Sequence, residues 1–357
     1  MAVLLFKMER KQKIYSNHRL LAKMNKNGTK KVRHSGHFVD QKLKCADLKD
    51  CNFLKTLSGE TQQKIHLCSP TNIRAEGIRL TPPQDKLLNA ILKLLHDKSE
   101  NRNTESEQFY AGNAGKEMVP YGGKGQIARS SVIRIIPSEL YKAYMDSSDY
   151  SGADIKFIKN LLSNTEQQKF LIIYERRREL KSEKGKKEIR IDRIEDFQSL
   201  FKIIRFFEGL TEEEAENLDN GNELLRDKKG ELVIALNPLL TDQINSKYVE
   251  YPSDINKRTI IAAGGHKFVT ESMLALRDYM LRELSARRFH SEINEEKLFL
   301  VLKLENYIKS RRRKIIQQRA EDAVQVTKNL GLLEDHERVI GASGQWKYIF
   351  HLNSTFT

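Results

Sequence analysis

From Thr81 the chain reads TPPQDKLLNAILKLLHD, and the apolar positions Leu87, Leu88, Ile91, Leu94 and Leu95 recur at the three-to-four spacing that lines one side of a helix. Thr81 is placed to cap that helix, and the two prolines fall in its first turn, where a missing N–H costs nothing. A polar, Gly-rich loop follows from about Lys98 to Arg129. Beyond it SSVIRIIP predicts a short strand, SELYKAYM a helix capped by Ser138, and GADIKFIKNLLSNT a second helix after a tight turn. KFLIIYE and KEIRIDRI then predict two strands joined by RRRELKSEKGK. Further strands are expected over residues 200–207 and 231–236, separated by an acidic stretch capped by Thr211.

The pattern recurs after AAGGHK. VTESMLALRDYMLRELSARRF is a capped amphipathic helix, NEEKLFLVLKL another, and IKSRRRKIIQQRAEDAVQVTKNLGLL a third that stops at Gly331. ERVIGASGQWKYIFHLN gives a strand, a Gly/Ser turn and a strand in which Trp346, Tyr348, Phe350 and Leu352 alternate with Lys347, Ile349 and His351. Both halves therefore run helices then hairpin, the order of a winged helix. The fold class expected is α+β: two tandem winged-helix domains, residues 80–262 and 266–357, divided at the Gly264–Gly265 pair. A basic, weakly periodic leader, residues 1–79, precedes them and is expected to be largely flexible, with a short helix near Ile14 to Met24.

Charge narrows the choice of partner. The formal net charge is +14, and the first 79 residues hold 17 Lys and Arg against 6 Asp and Glu. A polyanion is the natural partner of such a chain, with nucleic acid ahead of a membrane surface. The longest apolar runs, LLNAILKLL and LFLVL, fall far short of a membrane span, and no signal peptide is expected. Three cysteines, Cys45, Cys51 and Cys68, fit a reducing cytosol better than a disulfide framework.

The densest charge lies at NYIKSRRRKIIQQRAEDAV, with five cations in the six residues from Lys309 to Lys314. Drawn as one continuous helix, Ile308, Ile315, Ile316, Ala323, Thr327 and Leu330 share a stripe that packs inward. Arg312 and Arg319 fall in or beside that stripe and are expected to orient the helix. Ser310, Arg311, Lys314, Gln317 and Gln318 point outward with Arg313 at the margin. These are the residue types that meet phosphates and base edges in a major groove: Arg for guanine, Gln for adenine, Lys and Ser for phosphate. At the second hairpin tip, Ser343, Gln345 and Lys347 are candidate phosphate or minor-groove contacts. In the first hairpin Arg176, Arg177, Arg178, Lys184, Lys186 and Lys187 form a basic wing suited to phosphate. The helix before that hairpin offers Lys156 and Lys159, and the first unit suits phosphate binding or dimerisation better than base readout.

Catalytic and cofactor signals are weak. GNAGKE and YGGKGQ lack the spacing and the Ser or Thr of a phosphate-binding loop. His34, His37, Cys45, Cys51, His66 and Cys68 lack paired metal-ligand spacing. The carboxylates at Glu212 to Glu216 and at Glu295 read as helix caps. No enzyme, metal or cofactor is expected.

With these elements in place, LTPPQDKLLNAILKLL, ELVIALNPLLTDQINSKYV and the run from ESMLALRDYML to KYIFHLN give the chain a layout similar to iteron-type plasmid replication initiators. KFLIIYERRRE, LFKIIRFFEGLTEEEAENL, LVIALNPLLTDQI and ENYIKSRRRKI with AVQVTKNLGLL resemble more closely the chlamydial virulence-plasmid proteins of the plasmid gene product two type, over residues 80–335. The resemblance implies a plasmid-encoded, non-enzymatic protein that binds double-stranded DNA at origin repeats and works in plasmid replication or maintenance, associated with plasmid or nucleoid. By analogy with initiators, a homodimer through the first unit and recruitment of a host initiator and helicase follow. Two other readings stay open: a winged-helix transcriptional regulator of plasmid or virulence genes, and an adaptor holding RNA or nucleoid DNA through its leader.

Overall fold

A computed structural model describes residues 20–21, 24, 29–43, 72–76, 78–100, 132–181, 187–241 and 247–356. Its elements begin with β1 (Lys31–Ser35), α1 (Gly36–Leu43), β2 (Asn72–Glu76) and α2 (Pro82–Glu100). Next come β3 (Val132–Ile135), α3 (Pro137–Met145), α4 (Gly152–Gln167), β4 (Lys169–Lys181), β5 (Lys187–Ser199) and β6 (Phe201–Phe207). After α5 (Glu212–Asp219), α6 (Glu223–Lys229) and β7 (Gly230–Leu236), the chain forms β8 (Tyr248–Pro252), α7 (Ile255–Ala262) and α8 (Glu271–Ser285). It closes with β9 (His290–Asn294), α9 (Glu295–Val301), α10 (Glu305–Lys309), α11 (Arg313–Leu330), β10 (Leu333–Ile340) and β11 (Trp346–Leu352). The class is α+β, as the alternation of three-four and two-residue periods requires.

Two compact units divide the chain: residues 1–45, 79–85 and 245–357 in one, residues 46–78 and 86–244 in the other. This differs from the expected leader and two tandem domains. In the first unit β1 pairs antiparallel with β8, Val32 facing Tyr251. Val32, Phe38, Val39 and Leu43 are buried, so a segment of the expected flexible leader is core. The reason is local: KVRHSGHFVDQKL places those four at strand and then helix spacing, which the surrounding basic residues mask in a count of charge. The Gly264–Gly265 pair, expected at a domain boundary, is a turn with φ of 85° and 140° between α7 and α8 of the same unit.

In that unit α8 starts at Thr270, whose hydroxyl accepts from the Met273 N–H at 3.4 Å. Leu276 and Met280 of α8 pack against Ala320, Ala323 and Leu330 of α11 in the core. β9, β11 and β10 form one antiparallel sheet with β11 in the middle. Leu333, Tyr348, Phe350 and Leu352 lie on its inner face. α11 ends as expected at Gly331, with φ of 81°, a left-handed cap that a residue with a Cβ reaches only at a cost of about 1 kcal/mol. A buried charge cluster that no sequence pattern announced lies under α8. The Arg277 guanidinium donates to Asp85 at 3.0 Å and to Asp278 at 2.7 Å, and Lys42 bonds Asp278 at 2.6 Å and also Asp85. Burial alone would raise the Asp85 carboxyl, yet Lys42 and Arg277 outweigh it and hold that group well below the ordinary carboxylate range.

In the other unit the predicted elements are present, with the acidic stretch as α5, capped by Thr211 and Glu214. Helix α3 starts at Pro137 with Ile136 at its cap and Glu139 accepting from the Ile136 N–H, so Ser138 is not the capping residue. Proline at the first position presets the helical φ and fixes the start there. The strands fall into two sheets, ordered β2-β4-β5 and β3-β7-β6. β3, which precedes the helix pair, thus pairs with β7 and not with the β4–β5 hairpin.

Candidate nucleic-acid interface

The sequence pattern places the basic run inside one straight helix. It lies instead at a corner between α10 and α11. Ser310 caps α10, the Arg311 N–H bonds the Ile308 carbonyl at 3.0 Å and the Arg312 N–H bonds the Tyr307 carbonyl at 2.9 Å. That is the double bond pattern of a Schellman turn, and Arg311 occupies its left-handed position with φ of 55°. The same device ends α8 at Arg287 and α9 at Lys303. A basic residue at each of these positions lies at the negative end of the helix it closes, which offsets some of the left-handed strain.

The corner rotates the faces. Ile308 and Ile315, placed on the inward stripe by a continuous helix, are 40% and 37% exposed, while Ile316 is buried. Arg312, expected to be structural, is exposed; Arg319 is half-buried beside the core. Arg311, Arg312, Arg313 and Lys314 are all exposed and form no ion pair among the described residues. α11 has no acidic residue in its first turn and no side-chain cap. Four cations therefore surround a helix start whose N–H groups already carry the positive end of the dipole. Arg312, Arg313 and Lys314, which close no helix, are each unfavourable there by about 0.3–1 kcal/mol until an anion arrives. Such an arrangement can take phosphate oxygens by charge and by backbone N–H together.

Other expected contacts differ in availability. Gln317 is exposed; Gln318 is exposed but bonds Asp322 at 2.9 Å. The Ser310 hydroxyl donates to the Asn306 carbonyl at 2.8 Å, because a serine one turn after a carbonyl bonds back to it, so its donor serves the helix end. Ser343 and Gln345 are exposed at the tip of the β10–β11 hairpin. Lys347 is bonded to Glu292 at 2.7 Å, which neutralises its charge. Arg338, unremarked in the sequence, bonds Glu295 at 2.6 Å and stacks 4.2 Å from the centre of the Trp346 ring. Strict alternation along β11 makes Trp346 an inward residue, yet at the strand end it is 42% exposed. In the other unit Arg176, Arg177 and Arg178 lie on β4 opposite Asp192, Ile191 and Arg190, and Lys187 opens β5 opposite Lys181. Lys184 and Lys186 lie outside the described residues. Lys156 is exposed on α4, and Lys159 pairs with Asp227 at 2.9 Å.

His34 is buried and stacked 4.0 Å from Tyr251, a packing role. Cys45, Cys51, His66 and Cys68, and the GNAGKE and YGGKGQ loop, lie outside the described residues. Among the described residues no group of His, Cys, Asp and Glu could hold a metal, and no helix is long and apolar enough to cross a membrane.

Fold and site together define an α+β chain with an unneutralised basic helix start on the surface of one unit. Comparison with known proteins adds a relationship. The chain is similar to the virulence plasmid protein pGP2-D of Chlamydia psittaci, 24% identical over 307 residues, 81% of this chain and 84% of that protein. It is also similar to the protein of the same name from Chlamydia muridarum (strain MoPn / Nigg), 24% identical over 211 residues, 56% of this chain and 58% of that protein. The resemblance to chlamydial virulence-plasmid proteins seen in the residues is thus found again over most of the chain. No family model matches the chain, and no solved structure matches it.

Proposed function

We propose that the chain is a plasmid-encoded DNA-binding protein, a replication initiator or maintenance factor, in which residues 271–352 act as a winged helix on repeated duplex sites. The observation that carries this reading is the set Arg311, Arg312, Arg313 and Lys314, exposed and without carboxylate partners among the described residues at the uncapped start of α11. The order helix, strand, helices, hairpin, with β11 central in the sheet, supports the winged-helix description. The names of the similar Chlamydia proteins support the plasmid setting. The first turns of α11 lie in the major groove: Arg311, Arg312 and Lys314 hold phosphates, while Arg313 and Gln317 reach base edges. The β4–β5 unit serves dimerisation or adjacent phosphates, and arrays of bound protein recruit the host initiator and helicase.

The test is binding of labelled duplex by fluorescence anisotropy across a salt series. Three phosphate contacts give a slope of log K against log salt of about −2.7, and Arg311→Gly with Lys314→Ala brings it to about −0.9. Equal slopes for the two proteins overturn the assignment.

A further inference from the structure

The β10–β11 hairpin is the natural second contact of such a site, but its two cations, Lys347 and Arg338, are spent within the protein. Lys347 is held by Glu292, and Arg338 by Glu295 at 2.6 Å. What the tip presents is apolar. Ile340 and Trp346 face each other across the last rung of the ladder before the turn. Ile340 is 62% exposed and Trp346 42%. Among the described residues of this unit, no other pair of large hydrophobic residues opposed across a ladder is exposed on both sides. The indole is fixed from one face by the Arg338 guanidinium, so it is presented as a rigid plate. The hairpin also flanks the recognition surface: Arg338 reaches the first residue of α9 and lies in the field of Glu321 on the outer side of α11. With both cations of the hairpin held by carboxylates, the exposed Ile340 and Trp346 offer a phosphate nothing, which leaves the base stack as the part of a duplex the tip can meet.

Resting on the DNA-binding reading, we infer that Ile340 and Trp346 form a wedge that enters the minor groove of the same duplex and partly unstacks one flexible base step. Apolar side chains inserted this way kink DNA by about 20° to 90° toward the major groove. Steps of the TA and CA/TG kind open at least cost, so the wedge favours A·T-rich sites with such a step at a fixed offset from the α11 contacts. It replaces the phosphate role that the sequence suggested for Lys347.

Trp346 is the sole tryptophan of the chain, which makes it its own reporter. The full chain is titrated with a labelled A·T-rich duplex of about 30 base pairs, roughly three helical turns. Anisotropy of the label and emission of Trp346 are read together, and end-to-end energy transfer reports the bend. The wedge predicts duplex binding with Trp346 emission quenched about twofold, a bent duplex, and both effects lost in Ile340→Ser, whose affinity drops about tenfold. Ile340 is exposed, so this variant keeps its fold. Binding with unchanged emission and a straight duplex overturns the wedge and leaves the DNA reading standing. Absence of binding overturns both. Stronger quenching by the separated single strand than by the duplex overturns the commitment to a kinked step.

Discussion

Replacing Arg311 by glycine separates binding from folding. Its φ of 55° is one that a residue with a Cβ adopts at a cost of about 1–2 kcal/mol. Glycine removes that strain, returns about 0.4–1 kcal/mol of it through the greater freedom of the unfolded chain, and gives up about 0.3–1 kcal/mol of attraction to the end of α10. These terms leave Arg311→Gly within about 1 kcal/mol of the parent stability. Binding behaves differently. One phosphate contact contributes about 0.9 to the salt slope, so its loss weakens duplex binding about eightfold at about 0.1 M salt, roughly 1.2 kcal/mol. The assays are urea unfolding followed by circular dichroism, and anisotropy titrations between about 50 and 200 mM salt, the range over which about 3.5-fold of that contact is screened away. An unchanged affinity and slope refute the phosphate role of the corner. A stability loss well beyond about 1 kcal/mol refutes the Schellman assignment.

Other consequences follow from the buried groups. Arg277→Met leaves Asp85 and Asp278 buried with only Lys42 between them, and unfolding should be easier by about 3–5 kcal/mol in a denaturant titration. Because the folded Asp85 carboxyl is depressed, its stabilisation is full above the unfolded value of about 3.9 and is lost as pH falls below it; Asp85→Asn should flatten that acid limb in a pH series of melting temperatures. Tyr144 is buried with a hydroxyl that finds no partner among the described residues, and burial pushes its phenol up to about 12. Tyr144→Phe should therefore be neutral or stabilising by up to about 1 kcal/mol, and should remove a strongly alkaline step of the tyrosine absorbance titration.

The elements with ordinary signals were legible. Thr270 before an apolar stripe and Gly331 after one mark α8 and the end of α11, and the alternation Tyr348, Phe350, Leu352 marks β11. The corner in the basic run was not legible, because the residues that end α9 and α10 in the left-handed conformation are Lys303 and Arg311 where glycine is usual. A stripe drawn through an unseen break then misplaces Ile308, Ile315 and Arg312. β9 escapes for a similar reason: one of its two inward residues is Ser291, made tolerable inside by a 2.7 Å bond to the Tyr279 hydroxyl. Lys42 reads as one more cation of a solvated basic leader, yet it is drawn into the core by two aspartates far away in sequence. Long-range charge pairs of this kind leave no periodic trace. The neutralised state of Lys347 and Arg338, which turns the hairpin tip from a phosphate contact into an apolar one, depends on the same kind of pairing.

Footprinting the purified chain over the DNA that carries its own gene, beside the Arg311→Gly, Lys314→Ala variant, decides whether the corner of Arg311 to Lys314 holds a specific duplex. The parent chain should protect evenly spaced repeats and the variant none. Protection of the same repeats by both proteins, or of no sequence by either, contradicts the claim.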